Sequence, residues 1–194
     1  IVSRDWSSDV CSSDLIPFEK MPFLYNPVKG YISTANNKTI GDDFPYYISK
    51  LWADPSRIEQ INRRLDSMDN MTVEKMKSVQ LDQTSPFAQE ILPFIWLTET
   101  GEETGNLKRA YEFLKVWDGV EDVDSEAALI FHATMRNLVL NLYGDELALL
   151  GQNYLEAYTG LKYLVHRKIR EIFKTGESSW IDDITTPKDR KSVV

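Results

Sequence analysis

Residues 16–61 read IPFEKMPFLYNPVKGYISTANNKTIGDDFPYYISKLWADPSRIEQI, and the spacing of the apolar residues changes character at Pro55. Before that point Pro17, Pro22, Pro27, Gly30 and Gly41 interrupt the runs of Phe, Tyr and Ile, a punctuation that predicts short extended segments and turns. Residues 30–35 are the best strand candidate, β-prone and ending in the turn-forming pair Asn36-Asn37. After Pro55, Ile58, Ile61, Leu65 and Met68 fall near one face of a 3.6-residue repeat, which predicts helix.

Helical signals dominate from there on. Thr72 suits the N-cap of a segment through Leu81, with Glu74 in its first turn, and Ser85-Pro86 supplies a cap followed by proline at the first helical position. Pro93 is expected to end or kink that helix, since proline lacks the N–H and crowds the preceding turn. Leu107, Ala110, Tyr111, Leu114 and Trp117 mark a further amphipathic helix that Gly119 closes, and another runs from Asp124-Ser125 through Phe131, Met135, Leu138 and Leu142 to Gly144. A last long helix is predicted over residues 152–173, before Gly176; Trp180 to Ile184 and the turn Thr186-Pro187 follow. No internal repeat of solenoid length is present in the sequence. The pattern is α+β, mostly helical, with short strands near the front and a helical body behind them.

The two ends differ from the rest. Residues 1–15, IVSRDWSSDVCSSDL, carry no periodicity and repeat Ser-Ser-Asp; they resemble a translated sequencing-adapter read, as does the ending at residues 189–194. A flexible polar tail is the alternative reading. Both segments are set aside from fold reasoning, leaving residues 16–188 as the folded region.

Hydrophobic residues make up 42% and charged residues 27% of the chain, the composition of a packed protein rather than a disordered one. With a net charge of −8 and no Lys/Arg stripe interleaved with aromatics, the chain lacks the footprint of a nucleic-acid partner. No run approaches the roughly 18 apolar residues of a membrane span. Cys11 is the single cysteine, so an internal disulfide and a thiolate metal cluster are both excluded within the chain.

Few residues announce chemistry. Asn36-Asn37 reads as a turn, yet an asparagine amide is also a donor able to stabilise the oxyanion of an acyl-transfer intermediate. Arg57 reads as a solvated helix-start residue or as a fixed cation that orients neighbouring groups, and the spacing alone does not bring it to Asn36. His132 and His166 have no ligand partner at helical spacing and read as packing or surface residues; Asp182-Asp183 reads as a cap or surface pair before it reads as a cation site. Phosphate loops, zinc spacings and the G-x-S-x-G elbow are missing from the sequence.

Taken in order, Asn26-Pro27, Gly30-Tyr31, Ala35-Asn36-Asn37, Pro45-Tyr46, Trp52 and Arg57-Ile58 resemble the penicillin acylase family in its β-subunit, around an oxyanion asparagine. The likeness continues through Gln80-Leu81-Asp82, Ser85, Leu92-Pro93, Trp117-Asp118-Gly119, Ala127-Ala128 and Phe131 to Ser179-Trp180-Ile181-Asp182-Asp183. It implies a fragment of a four-layer αββα N-terminal-nucleophile hydrolase, matured by self-cleavage that exposes a serine whose own α-amino group serves as base. By matching position Asn36 is the oxyanion donor, with Asn37 its neighbouring competitor, and Arg57 organises serine and asparagine. Ser33 and Ser49 are internal and carry no free amino group, so the fragment alone is expected to be inactive.

The implied partners are an N-acyl small molecule (a β-lactam side chain, an acyl-homoserine lactone or similar), the α-subunit, and the remaining β-subunit of the same precursor. No cofactor is required for the chemistry. The family's structural calcium is placed in doubt because Ile48 occupies the position aligned with one carboxylate ligand, although Asp42 and Asp43 lie nearby. The resemblance implies a periplasmic or extracellular setting. A noncatalytic helical binding module is the rival reading, motivated by the helical body and the absent nucleophile.

Overall fold

The computed structural model describes residues 15–160 and 162–181. Seven α-helices are found among them: α1 (Ser56–Asp66), α2 (Val73–Gln80), α3 (Pro86–Trp96), α4 (Gly105–Val116), α5 (Glu126–Leu150), α6 (Gln152–Gly160) and α7 (Lys162–Thr175), with short 3-10 turns at Phe18–Lys20 and Ser179–Ile181. The terminal segments set aside above, apart from Leu15, and the Asp182-Asp183 pair lie outside the described residues.

Three helices begin where a side-chain oxygen satisfies an orphan N–H of the first turn. Thr72 accepts from the Lys75 N–H at 3.2 Å, Ser85 from Ala88 at 3.3 Å and Ser125 from Ala128 at 3.2 Å. The helices then assemble by burying their apolar faces. Phe87 and Ile91 of α3, Phe131, Leu142 and Tyr143 of α5 and Ile169 of α7 form one core, each exposed by 3% or less. Side chains of this size stabilise by roughly 1.5–3 kcal/mol each when fully buried, so the body from α3 to α7 is where the fold is held. Helix α1 packs on α3, and α3 on α7.

The expected strand over residues 30–35 does not form. The segment joins no ladder, and the single β-bridge among the described residues pairs Thr84 with Val120. A strand is completed by a neighbour's backbone; here the segment is fastened sideways by side chains, Tyr31 Oη donating to Asp66 at 2.7 Å and Ser33 Oγ to Asn62 at 2.6 Å on α1. The four-layer sheet arrangement is thus not seen in these residues.

Two helix limits differ from expectation. Pro93 does not end α3, which continues to Trp96. Proline costs the bond that its N–H would give to residue 89, but it faces solvent while Ile91, Leu92 and Ile95 keep the helix against the core. Helix α5 passes through Gly144 to Leu150, because buried Tyr143 and Leu147 prolong its apolar face past a glycine penalty of about 1 kcal/mol. The helix predicted over residues 152–173 is met by the described residues, which are helical over Gln152–Gly160 (α6) and Lys162–Thr175 (α7) on either side of residue 161.

Candidate active site

Asn36 and Arg57, 21 residues apart, are in contact. The Arg57 Nη2 donates to Asn36 Oδ1 at 2.8 Å and to the Ala35 carbonyl at 2.8 Å. Asn36 adopts φ +61°, a left-handed conformation that asparagine tolerates better than most residues, and its own carbonyl accepts from the Ala53 N–H at 2.9 Å. The loop is therefore held from two sides by residues flanking the turn into α1.

The chemistry fixes the amide's orientation. A guanidinium has only donors, so the amide oxygen must face it and the Nδ2 group must face away. Asn36 is exposed, and its Nδ2 makes no hydrogen bond among the described residues. Arg57 also polarises the amide it grips, which strengthens the remaining N–H bonds as donors. A cation in the first turn of a helix opposes the macrodipole; the two oxygens at Ala35 and Asn36 offset that cost and give Arg57 one place to point.

Asn37 is engaged differently. Its Oδ1 accepts from the Ala35 N–H at 3.0 Å and its Nδ2 donates to the Lys38 carbonyl at 2.9 Å, so both ends of its amide serve the loop itself. Ser33 donates to Asn62, and Ser49 Oγ donates to the Leu51 carbonyl at 3.1 Å. His132 is exposed 3.2 Å from Glu121, and the His166 ring stacks on Phe87 with the ring centres 4.0 Å apart.

Ile48 offers no oxygen, and Asp42 is ion-paired with Lys38, whose ammonium hydrogen-bonds its carboxylate and holds that carboxyl below the usual range. No three carboxylates, histidines or cysteines converge among the described residues.

A model of one protein family, penicillin amidase, matches residues 2–194. The chain belongs to the penicillin amidase family. Among curated relatives of this family resemblance, penicillin acylase 2 proenzyme of Pseudomonas sp. (strain SE83) is 31% identical over 69% of this chain and 17% of its own length. An acyl-homoserine lactone acylase of Pseudomonas aeruginosa is 25% identical over 65% of this chain and 16% of that protein. Penicillin G acylase of Escherichia coli is 30% identical over 55% of this chain and 13% of that protein. The chain thus spans about a sixth of the length of the curated penicillin amidase relatives it matches.

What sequence reading missed in this penicillin amidase segment is the support behind Arg57. Asp54, Ser56 and Arg170 form a polar cluster under the start of α1, with Arg170 Nη2 donating to Ser56 Oγ at 2.9 Å. The available signal was the spacing of Val165, Ile169 and Ile172, a buried stripe that carries Arg170 inward beside it.

Proposed function

We propose that this chain is part of an N-terminal-serine amidohydrolase that cleaves an N-acyl amide, with Asn36 as the side-chain donor to the oxyanion and Arg57 as the residue that positions it. The observation that carries the reading is the 2.8 Å bond from Arg57 to Asn36 Oδ1, which turns the Nδ2 group outward. An amide held this way is preorganised: it donates to charge that develops on a substrate oxygen without reorganising at the moment of reaction. The amide of Asn37 is already committed to its own loop, which favours Asn36 over its neighbour.

In this reading the attacking serine, its α-amino base and the four-layer scaffold come from the rest of the precursor. The acyl chemistry of the substrate is of the kind that the relatives' names record: a penicillin or an acyl-homoserine lactone. The uncovered apolar side chains of the front, among them Phe18, Phe23, Tyr25 and Val28, each more than 85% exposed, suit a segment that docks against the remaining α- and β-subunit sequence.

The test is Asn36→Ala in the full-length parent. Turnover is expected to fall about 10²–10³-fold while self-cleavage and folding proceed, and Asn37→Ala is expected to cost far less. Unchanged turnover in a correctly matured Asn36→Ala enzyme would remove Asn36 from the mechanism. The isolated 194-residue chain is expected to show no amide hydrolysis, and appreciable hydrolysis by it would overturn the assignment of the nucleophile to other sequence.

A further inference from the structure

We propose that Arg170 of α7 is a positioning residue for the Asn36 amide, acting through the turn that leads into α1. The proposal rests on the oxyanion reading above and adds to it a distant residue that sets the donor's place. The turn Asp54-Pro55-Ser56 lies between Ala53 and Arg57, the two residues that hold Asn36, by its main-chain carbonyl and by its side-chain oxygen respectively. Any movement of that turn therefore moves both supports together.

Arg170 holds the turn from 114 residues away. Its Nη2 donates to Ser56 Oγ at 2.9 Å, and its Nη1 lies 3.5 Å from Asp54 Oδ2. Ser56 closes the cluster by donating both its hydroxyl and its backbone N–H to Asp54 Oδ1. The guanidinium is anchored in turn: Nε sits 2.8 Å from Glu90 Oε2 of α3 as an ion pair, though its N–H is not aimed for a hydrogen bond, and the group lies 5.6 Å from the Phe87 ring centroid. Glu59 Oε2 of α1 stands 3.7 Å from Nη2.

Burial makes this clamp directional. The side chains of Arg170 and Asp54 are each 10% exposed, where charges are little screened and a planar fork of donors has one geometry that serves its partners. The rigid body of α3, α5 and α7 is thereby connected to a front that has almost no core of its own. Substituting a flexible ammonium for the fork retains charge but loses the simultaneous hold on Ser56 and Asp54.

The experiment is a double-mutant cycle in the full-length parent enzyme, with Arg170→Met made alone and in the Asn36→Ala background and with kcat and KM measured for each. Alone, Arg170→Met is expected to lower kcat roughly tenfold with KM changed less than about threefold, as for displacement of a catalytic group by a fraction of an ångström. In the Asn36→Ala background the same change is expected to alter kcat less than about twofold, because the group it positions is gone. Arg170→Lys should restore part of the loss. An equal loss in both backgrounds means that Arg170 only stabilises the fold, and the inference fails while Asn36 keeps its role. If Asn36→Ala itself leaves kcat unchanged, the oxyanion reading falls and takes this one with it. Should Arg170→Met not fold, Ser56→Ala, which deletes one hydroxyl of the clamp, is carried through the same cycle with the same two readings.

Discussion

Residues 15–54 and the body from α3 to α7 are built on opposite terms. The front contains Leu15, Phe18, Phe23, Leu24, Tyr25, Val28, Ile32, Tyr47 and Leu51 as exposed large apolar residues, and Ala35 is its buried apolar residue. The body places its large side chains inside, with Tyr143, Phe131, Ile91, Leu142 and Ile169 each under 2% exposed. Hydrophobicity is similar in kind on both sides. What differs is whether a 3.6-residue period gathers it onto one face. Proline and glycine prevent that gathering in the front, so its conformation is set by particular hydrogen bonds to α1 rather than by packing, and that is also where the candidate site lies.

The sharpest contrast comes from making one kind of substitution on each side. Phe131→Ala is expected to destabilise the chain by about 3–5 kcal/mol through transfer and cavity costs, whereas Phe23→Ala, at a residue 86% exposed, is expected to stay within about 0.5 kcal/mol. Both are read from the midpoint and slope of chemical denaturation, and comparable losses would show that the front has a core of its own.

A smaller effect is expected at the junction between α3 and the segment after α4. Gly119 has φ +87°, and a Cβ there would stand 2.8 Å from Gln89 Cγ, whose amide donates to the Asp118 carbonyl at 2.7 Å. Gly119→Ala should cost about 1–2 kcal/mol, measured in the same way; a neutral result would mean that this turn relaxes freely.

Acid separates the regions by another route. Burial of Asp82 acts to raise its pKa, but hydrogen bonds from Thr84 and Gln60 and the Arg64 charge together outweigh it and leave the carboxyl below its usual value. A lowered folded-state pKa contributes stability that is fully present above the unfolded-state value of about 3.9 and is lost as pH falls through the folded-state value. Stability should therefore fall below about pH 4, and Asp82→Asn should flatten part of that fall; an unaltered acid profile in Asp82→Asn would remove this tie between α1 and the Thr84 bridge.

The smallest effect is expected inside the core. Tyr143 packs its ring on Tyr158 at 4.9 Å and Trp180 at 5.0 Å; its buried hydroxyl makes no hydrogen bond of ordinary geometry among the described residues, and burial first of all, then the neighbouring Tyr158 side chain, pushes the phenol's pKa up. Tyr143→Phe is expected to raise stability by about 1 kcal/mol. A loss of that size would show that the hydroxyl has a partner.

Reading the sequence succeeded where one residue's chemistry decides local structure. Thr72, Ser85 and Ser125 cap helices because a short oxygen-bearing side chain can reach an unpaired N–H, and that needs no knowledge of tertiary neighbours. It failed where neighbours decide. Residues 30–35 have strand chemistry but no strand beside them among the described residues, and Pro93 and Gly144 have breaker chemistry overridden by buried Ile91, Leu92 and Leu147. At the candidate site the motif order pointed to Asn36 and Arg57 by family resemblance, but their contact depends on how the loop folds back on α1. The Arg170 cluster depends on a pairing across 114 residues, which no spacing rule encodes.

The most direct measurement compares binding of an uncharged amide substrate with binding of a stable tetrahedral oxyanion analogue, such as a phosphonate, in the full-length parent and its Asn36→Ala variant. A donor realised mainly in the transition state predicts that the analogue loses about 10²–10³-fold in affinity, in step with kcat, while substrate binding changes less than about threefold. Equal loss for substrate and analogue, or no loss for the analogue, would contradict the account.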